Sequence, residues 1–505
     1  MPVNSRISLH ELGRRGRWRR WRIRLSGLAF VVLAAFVSSV AGAENPTRDA
    51  ASAALKRAVA FFGDEVSAQG GYLWRYSADL SRREGEGQAG RLTAWVQPPG
   101  TPTVGEALLE AFQLTGEARY LEAARDTALA LVQGQLQSGG WDYRIEFDPA
   151  DRQRYRYRVE ESNSGGRNVT TLDDDTTQSA LRFLMKVDRA LEFRDGDVHQ
   201  AAVFGLDALM KAQYPNGAWP QRFSAAPDAA LHPVKAASYP QTWSREWPRL
   251  DYRGYYTFND NTIADTIDTM FAAAEIYNDA RYRTSAEKAG GFILLAQMPE
   301  PQPAWAQQYN ADMHPAWARK FEPPAITGGE SQGVLRTLLS LCRRTGDRRF
   351  LEPVPRAVAY LKKSQLADGR LARFYELQTN RPLFFTRDYE LTYSSDDLPT
   401  HYGFLVSHRL ESIQNEYKRL SALDREEQVS SEPHQRRAPR MTSELADRVR
   451  SIIDGQDGRG AWVENGRLRT LEGGGESQII TSRTFCENVR TLSRYIAAYD
   501  DADQR

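Results

Sequence analysis

The sequence predicts an all-α protein, an α/α toroid (an incomplete α/α barrel) built from repeated helical hairpins. Three observations lead to this prediction. Segments with helical periodicity dominate the chain, and few stretches alternate as strands do. The helices come in pairs separated by glycine-containing loops, and the loops recur with related sequences. Recurring hairpins that bury their apolar faces against one another are typical of stacked or ring-shaped helical arrays.

The first 43 residues have the pattern of an export signal. Eight arginines crowd the segment 6–24, an apolar run covers 25–40, and Ala41-Gly42-Ala43 offers a small-residue cleavage site. The apolar run is short for a membrane span, so a retained anchor is the less favoured alternative. We therefore expect a secreted or periplasmic protein with no stable membrane anchor.

The composition of the remaining chain excludes one class of partner. Without the eight arginines and one glutamate of the signal, 58 basic and 64 acidic side chains remain, a net charge of −6. Nothing in this balance indicates binding to nucleic acid. Export permits a disulfide between Cys342 and Cys486, but two cysteines alone do not establish that it forms. We expect a monomer.

After the signal, the chain divides into a toroid domain (44–420), an exposed linker (421–440) and a C-terminal helical extension (441–505). The linker is charged and poor in apolar residues, and the extension is expected to pack on the toroid through an amphipathic helix at 485–499. Helices of the toroid are predicted at 51–62, 104–114, 120–133, 179–191, 199–212, 262–277, 284–295, 331–343, 354–364 and 405–417.

The loops between hairpins carry the repeat. Gln135-Leu-Gln-Ser-Gly-Gly-Trp141 ends one helix, Gln213-Tyr-Pro-Asn-Gly-Ala-Trp219 ends another, and 297–305 and 365–374 are looser copies. Their leading glutamines are 78, 84 and 68 residues apart, about two helices and their connections each. In such a ring the inner helices run in one direction, so their N-termini gather at one end.

Two of these helix starts are acidic. Asp173-Asp174-Asp175 precedes one predicted helix, and Asn259-Asp260-Asn261 precedes another. A single acid would be explained by helix capping. Three neighbouring carboxylates repel one another and favour a compensating cation, whether Arg, Lys or a hard metal ion. The toroid would allow both acidic starts to face one site.

Aromatic side chains cluster with arginines in several loops. Flat aromatic faces beside cations and amides suit acidic sugars, although each cluster alone is equally explained by ordinary packing. The clusters are Trp219-Pro-Gln-Arg-Phe223, Trp305-Ala-Gln-Gln-Tyr309, Trp317-Ala-Arg-Lys-Phe321 and Arg373-Phe-Tyr375.

An ordered set of motifs over residues 50–420 resembles the pectate lyases of polysaccharide lyase family 10. The set comprises Thr171-Leu-Asp-Asp-Asp-Thr-Thr177 with Leu181-Arg-Phe-Leu184, Tyr214-Pro-Asn-Gly-Ala-Trp-Pro-Gln221, Phe258-Asn-Asp-Asn261, Pro303-Ala-Trp-Ala-Gln-Gln-Tyr309, and Ala316-Trp-Ala-Arg-Lys-Phe-Glu-Pro-Pro-Ala-Ile326 with Glu330-Ser331. The resemblance implies an α/α toroid that cleaves polygalacturonate, or a related acidic polysaccharide, by calcium-assisted β-elimination.

The resemblance also implies roles for particular residues. Asp173 and Asp260 match the calcium-associated aspartates, and Arg319 matches the catalytic base. An arginine base requires surroundings that favour the neutral guanidinium. The candidate substrate-binding residues are Trp219, Gln221, Lys320, Arg373 and Arg387.

This chain departs from the family pattern at two places. Asp174-Asp175 stands where Asn-Gly is more usual, which makes the acidic start more negative. Pro399-Thr-His-Tyr-Gly403 lacks the arginine expected before its Gly-Tyr-type pair, so a substrate-binding arginine is absent or moved.

Three other functions compete with the lyase. An inverting glycoside hydrolase would use Asp173 and Asp260 as its acid and base. A non-catalytic uronate-binding protein would keep the cleft without turnover. A terpene cyclase requires Asp-x-Asp-Asp-Thr, and Leu172 occupies the first position here.

Overall fold

The computed structural model of the protein describes residues 45–160, 165–430, 439–469 and 477–503; the predicted signal at 1–43 lies outside them. The helices are α1 (Arg48–Phe61), α2 (Thr101–Thr115), α3 (Ala118–Gly134), α4 (Pro149–Arg152), α5 (Thr176–Ala190), α6 (Gly196–Ala212), α7 (Thr262–Tyr277), α8 (Ala280–Leu295), α9 (Glu330–Thr345), α10 (Val354–Lys363), α11 (Leu410–Ala422), α12 (Arg425–Ser430), α13 (Ser443–Asp454) and α14 (Ser482–Asp503). None of these described helices is long and apolar enough to cross a membrane.

Short antiparallel strands lie between the helices and form two four-stranded and four two-stranded sheets in the described chain. They are β1 (Arg75–Ser77), β2 (Arg83–Glu84), β3 (Thr93–Trp95), β4 (Arg144–Glu146), β5 (Thr170–Thr171), β6 (Arg222–Phe223), β7 (Tyr256–Thr257), β8 (Gln308–Tyr309), β9 (Ala325–Thr327), β10 (Leu371–Ala372), β11 (Phe374–Glu376), β12 (Pro382–Phe385), β13 (Leu391–Thr392), β14 (Leu405–Val406), β15 (Glu464–Gly466) and β16 (Ser477–Thr481).

The helices form two layers, which confirms the predicted α/α toroid class. The inner layer runs α14, α2, α5, α7, α9, each packed on the next. The outer layer includes α3 against α2 and α5, α6 against α5, and α8 against α7 and α9. Because an inner helix is covered on both sides, α5 buries most of its length, including Leu181, Leu184 and Val187.

Close approach between inner helices depends on one small residue. A Cβ added to Gly105 of α2 would lie 2.2 Å from the ring of Phe183 on α5. Glycine therefore allows the two helices to pack with the aromatic ring between them.

The repeated loops hold the ring together through the same bonds each time. The side-chain amide of Gln135 donates to Gly139 O in its own loop and to Ala201 O of the neighbouring outer helix, both at 2.8 Å. The buried Trp141 indole donates to Leu131 O at 2.8 Å. Equivalent bonds are made by Gln213 with Trp219, Gln297 with Trp305, and Gln456 with Trp462.

The C-terminal segment forms one more helical hairpin. Helix α13 packs on α1 and α14, and α14 packs on α1 and α2. The Gln456 amide donates to Ala54 O of α1 at 2.9 Å, which repeats the bond between neighbouring outer helices. Strand β16 also pairs with β1. Residues 441–503 thus continue the inner and outer layers across the N-terminal hairpin.

Two predicted segments differ in detail from the structure. A helix was expected at 405–417, but Leu405 and Val406 pair with β10, and the helix begins at Leu410. Within 421–440, residues Arg425–Ser430 form α12, which packs on α9; its Gln428 is buried and donates to Leu420 O at 2.8 Å. Cys342 and Cys486 are buried free thiols.

Candidate active site

The two acidic helix starts are structural copies of each other. In each, a short strand leads into a single helical turn that places the central aspartate in the left-handed region, with φ of 50° at Asp174 and 47° at Asp260. The residues that follow, Asp175 and Asn261, also have φ of 58°. Aspartate and asparagine tolerate this backbone better than other residues with a Cβ. Asp175 forms no side-chain capping bond, so helix capping does not account for the acidic run.

Three carboxylates converge where α5 and α7 begin. Asp173, Asp174 and Asp260 each offer an oxygen within 4.8 Å of the others. We call these three residues the acidic centre. It combines both predicted calcium aspartates, Asp173 and Asp260, with a third that the sequence placed only within an acidic run. This is an all-oxygen donor set, which suits a hard divalent cation such as Ca²⁺.

Polar side chains from neighbouring loops orient two of these carboxylates. The Tyr143 hydroxyl donates to Asp173 Oδ2 at 2.6 Å, and the Gln221 amide donates to Asp173 Oδ1 at 3.0 Å. The Gln97 amide donates to Asp174 Oδ2 at 2.7 Å. Gln221, predicted to bind substrate, therefore holds a carboxylate of the acidic centre, and Gln97 and Tyr143 are additional site residues.

The acidic centre holds three carboxylates, and Arg222 lies 3.9 Å from one of them, Asp173. Burial, the charge of Asp173 and the charge of Glu86 raise the pKa of Asp174 to about 6. Burial and the charges of Asp173 and Asp174 raise the pKa of Asp260 well above its usual range. Arg319 acts in the opposite direction on both carboxyls. Full ionisation of the centre therefore calls for an additional cation.

Arg319 lies beside the acidic centre and is held by a buried carboxylate. Its guanidinium donates to Glu322 Oε1 at 2.5 Å, and its backbone N–H donates to Glu322 Oε2 at 3.1 Å. Burial acts to lower the pKa of Arg319, but the hydrogen bond and charge of Glu322 outweigh it, and the pKa is raised. In the described state Arg319 is therefore a protonated guanidinium.

A chain of amides connects Glu322 to the acidic centre. The Gln307 amide donates to Glu322 Oε1 at 2.8 Å and also to Asn259 Oδ1. The Asn259 amide in turn donates to Asp260. Tyr402 completes the group by donating its hydroxyl to Glu322 Oε1 at 3.0 Å. The loop that carries Arg319 is thus connected by hydrogen bonds to the second acidic helix start.

The other predicted substrate residues occupy different surroundings. Trp219 is fully buried and its indole donates to Leu209 O at 2.8 Å, so it holds a hairpin loop and does not line the cleft. Arg373 pairs with Glu330 at 2.7 Å beneath the Tyr402 ring.

Lys320 and Arg387 lie at the surface. Lys320 is exposed, with its ammonium 3.3 Å from the centroid of the Tyr389 ring. Arg387 is exposed and pairs with Asp397 at 3.2 Å.

An aromatic groove of about 600 Å³ adjoins the arginine loop. The Trp247 indole donates to Ala318 O and the Trp317 indole donates to Ser244 O, both at 2.8 Å. These reciprocal bonds fix the segment around Trp247 to the residues next to Arg319. The groove is lined by Arg245, Glu246, Trp247, Arg249, Trp317, Lys320, Phe385, Tyr389, Glu390, Leu391 and Tyr393.

One known protein family matches part of the sequence. Residues 150–371 match the family model of the pectic acid lyases. The match confirms the resemblance predicted from the motifs and supports a lyase-type function. It includes Asp173, Asp260 and Arg319. Among curated protein sequences, none matches the chain significantly.

Several solved structures are similar to the chain at low identity. A family 10 polysaccharide lyase from Cellvibrio cellulosa is 22% identical with a TM-score of 0.43, covering 64% of this chain and 98% of that one. A point mutant of a family 10 lyase from the same organism, in complex with trigalacturonic acid, is also 22% identical with a TM-score of 0.43, covering 63% and 98%. A sugar epimerase from a ruminal bacterium is 12% identical with a TM-score of 0.43, covering 89% and 98%.

Proposed function

We propose that the protein is an exported pectate lyase that cleaves polygalacturonate by calcium-assisted β-elimination, with Arg319 as the base. The observation that carries the proposal is the convergence of Asp173, Asp174 and Asp260 beside Arg319. The pectic acid lyase match supports the reaction class and the substrate. Export rests on the sequence of residues 1–43 alone.

The acidic centre fits a calcium ion by the chemistry of its donors. Its carboxylates are crowded enough to raise the pKa of Asp174 and Asp260, so a dication bound there relieves their repulsion. When bound, Ca²⁺ would stabilise the charge that develops on the uronate carboxylate and offset the charge of Asp260, which raises the pKa of Arg319 less than Glu322 does. Gln97, Gln221 and Tyr143 hold the ligand carboxylates in place.

The chemical step requires Arg319 first to release a proton to solvent and then, as a neutral guanidine, to accept the proton on C5 of the uronate. The electrons of that C–H bond form a double bond between C4 and C5, and the glycosidic C4–O bond breaks. The departing oxygen takes a proton from water in the open cleft. Glu322 fixes the position of Arg319 by accepting one hydrogen bond from its guanidinium and one from its backbone N–H. Lys320 and the aromatic groove beside it offer charge and apolar rings to neighbouring uronates.

Absorbance of the unsaturated product tests the proposal. Polygalacturonate is incubated with the mature chain in the presence of calcium, in the presence of chelator, and with the Arg319→Ala variant. Calcium-dependent absorbance that falls at least about 10³-fold in Arg319→Ala is expected for loss of the base. Arg336→Ala, which removes an exposed arginine from α9, serves as the control and should keep its activity. Absorbance that persists with chelator would contradict the role of calcium.

The geometry weighs against the inverting hydrolase. An inverting pair needs carboxyl groups about 6.5–9.5 Å apart to admit a water molecule. Asp173 and Asp260 offer oxygens within 4.8 Å. Release of reducing sugar without ultraviolet absorbance would nevertheless support hydrolysis.

One observation favours a non-catalytic uronate-binding protein as the second candidate. The raised pKa of Arg319 means that its resting form is an anion-binding guanidinium and not a base. Binding of polygalacturonate by a folded, calcium-loaded chain that forms no unsaturated product would support this function over the lyase.

A further inference from the structure

A strongly basic pocket lies outside the acidic centre, between the starts of α2 and α14. Its volume is about 640 Å³, and most of its lining comes from the C-terminal hairpin. We call it the C-terminal pocket. It is lined by Trp74, Arg75, Pro98, Pro99, Glu464, Gly466, Arg467, Arg469, Ile479, Thr481 and Arg483.

The described lining of this pocket carries more basic than acidic side chains. Arg467, Arg469 and Arg483 are exposed, and none forms an ion pair within the described chain. By contrast, Arg75 pairs with the buried Glu84 at 2.9 Å. The acid of the lining, Glu464, accepts hydroxyl hydrogen bonds from Thr481 and Thr484, at 3.1 and 2.9 Å. Guanidinium groups without a carboxylate partner are suited to bind carboxylates from outside the chain.

The C-terminal pocket and the acidic centre share one connecting residue. The Trp74 indole on the pocket wall donates to Gln97 O at 2.9 Å, and the Gln97 amide donates to Asp174 Oδ2 at 2.7 Å. Both sites also lie where inner helices begin. The C-terminal pocket lies at the starts of α14 and α2, and the acidic centre lies at the starts of α5 and α7. A polymer held in one site can therefore continue toward the other along the same end of the ring.

We propose that the C-terminal pocket binds uronate residues of the polysaccharide at a distance from the bond that is cleaved. The identity of the polymer rests on the proposed function. Arg467, Arg469 and Arg483 would bind carboxylates through paired N–H groups, while Trp74 and the two prolines offer apolar surface to sugar rings. The pocket thus gives residues 441–503 a role in selecting long anionic chains.

The proposal has a kinetic consequence. Contacts remote from the reacting atoms that form equally in substrate and transition state lower KM without raising kcat. Loss of the three arginines should therefore raise KM for polygalacturonate about tenfold and leave kcat within about twofold. The remaining affinity should depend less steeply on salt, because fewer charges are neutralised on binding.

The test compares two triple variants of the mature chain with equal changes in charge. One carries Arg467→Gln, Arg469→Gln and Arg483→Gln. The control carries Arg336→Gln, Arg440→Gln and Arg448→Gln, which replaces three exposed arginines outside the pocket. Binding of decagalacturonate is measured by calorimetry in chelator, so that the polymer is not cleaved. The pocket variant should bind about tenfold more weakly than the control.

The outcomes separate this inference from the lyase proposal. Weaker binding by the pocket variant supports the pocket even if neither protein forms unsaturated product, which would overturn only the lyase. Equal binding and equal KM in the two variants of an active lyase would overturn the pocket. If the triple variant fails to fold, Arg483→Gln alone should weaken decagalacturonate binding about threefold, and an unchanged affinity there would likewise overturn it.

Discussion

Among single residues, Glu322 has the largest part in keeping Arg319 protonated. Its side chain is 1% exposed and accepts bonds from Arg319, Gln307 and Tyr402. Burial alone would raise the pKa of Glu322, but the hydrogen bond with Arg319 lowers it below its usual range. Both members of the pair are therefore charged. An arginine base in this setting becomes available only at high pH or when neighbouring charges change.

We therefore expect Glu322→Gln to change the pH dependence of the lyase. Without the carboxylate, the main influence that raises the pKa of Arg319 is lost, so the limb on which kcat rises with pH should move to lower pH. Removal of one partner from a buried pair should also cost about 2–4 kcal/mol of stability. The pH profile of kcat and urea unfolding measure the two effects. An unmoved limb in a folded variant would show that Arg319 is not the titrating base.

The sequence identifies some residues of the site and misses others. Asp173, Asp260, Arg319 and Gln221 were found because they lie in motifs with recognisable order. Tyr143 and Gln97 carry no such signal, since a lone tyrosine or glutamine in a loop is ordinary, and they join the site only through hairpin packing. The cluster around Trp219 places an aromatic face beside an amide and a cation, which predicts sugar binding, but its indole is buried and holds the hairpin loop.

At the scale of elements, polar contacts between α5 and α7 lie inside the ring. Arg182 of α5 binds Asp175 and also donates to the Asp265 backbone oxygen on α7. Burial and the charge of Asp175 raise the pKa of Asp265 to about 7, against the opposing charge of Arg182. The folded protein thus holds a proton on Asp265 more tightly than the unfolded chain does.

This shift makes stability depend on pH. The contribution of Asp265 is fully present below its unfolded pKa of about 3.9 and is lost as pH rises through about 7. Asp265→Asn should therefore raise the free energy of unfolding at pH 8 by about 1–2 kcal/mol and change it little at pH 4. Urea unfolding at both pH values measures this, with Glu275→Gln, an exposed acid on the same helix, as the control. Equal effects at both pH values would contradict the interpretation.

The hairpin loops offer a second prediction for elements. The Gln213 amide donates to Gly217 O and Ser285 O, both at 2.9 Å, and joins α6 to α8. Gln213→Leu leaves both carbonyls without this partner and should lower the free energy of unfolding by about 2–3 kcal/mol.

A matched control exists because one loop copy diverges. The exposed Gln365 amide meets the His408 ring instead of two carbonyls. Gln365→Leu should therefore change stability by less than about 0.5 kcal/mol. Similar losses in both variants would show that the repeated glutamine bonds do not hold the ring.

At the scale of the whole molecule, the sequence predicts the fold class but not that the ring continues through the C-terminal hairpin. The 3.6-residue periodicity and the repeated loops were enough for the toroid class. The segment Gln456-Asp-Gly-Arg-Gly-Ala-Trp462 has the same spacing as Gln135 to Trp141, so its repeat was readable from the sequence. The position of this hairpin against helix α1 was not readable from the sequence. The contact between α14 and α1 joins residues more than 400 positions apart, and no local pattern encodes it.

The last prediction concerns the dependence of the whole ring on its C-terminal hairpin. Helix α14 buries Phe485, Val489, Leu492 and Ile496, and the Phe485 ring stacks on Phe62 with centroids 3.6 Å apart. A chain that ends at Arg440 would expose the faces of α1 and α2 that α14 covers. Apolar burial on this scale contributes about 1.5–3 kcal/mol per side chain, and the sum over these four side chains is comparable to the whole stability of a typical folded protein.

The truncated chain should therefore aggregate or lack a cooperative thermal transition, although it retains every residue of the family match and the acidic centre. Leu492→Ala in the full chain provides the graded comparison, with an expected loss of about 2–5 kcal/mol from one buried side chain. Size-exclusion chromatography and circular dichroism measure both variants. A soluble truncated monomer that melts cooperatively would show that residues 44–440 fold alone, and that the C-terminal hairpin acts only on the substrate.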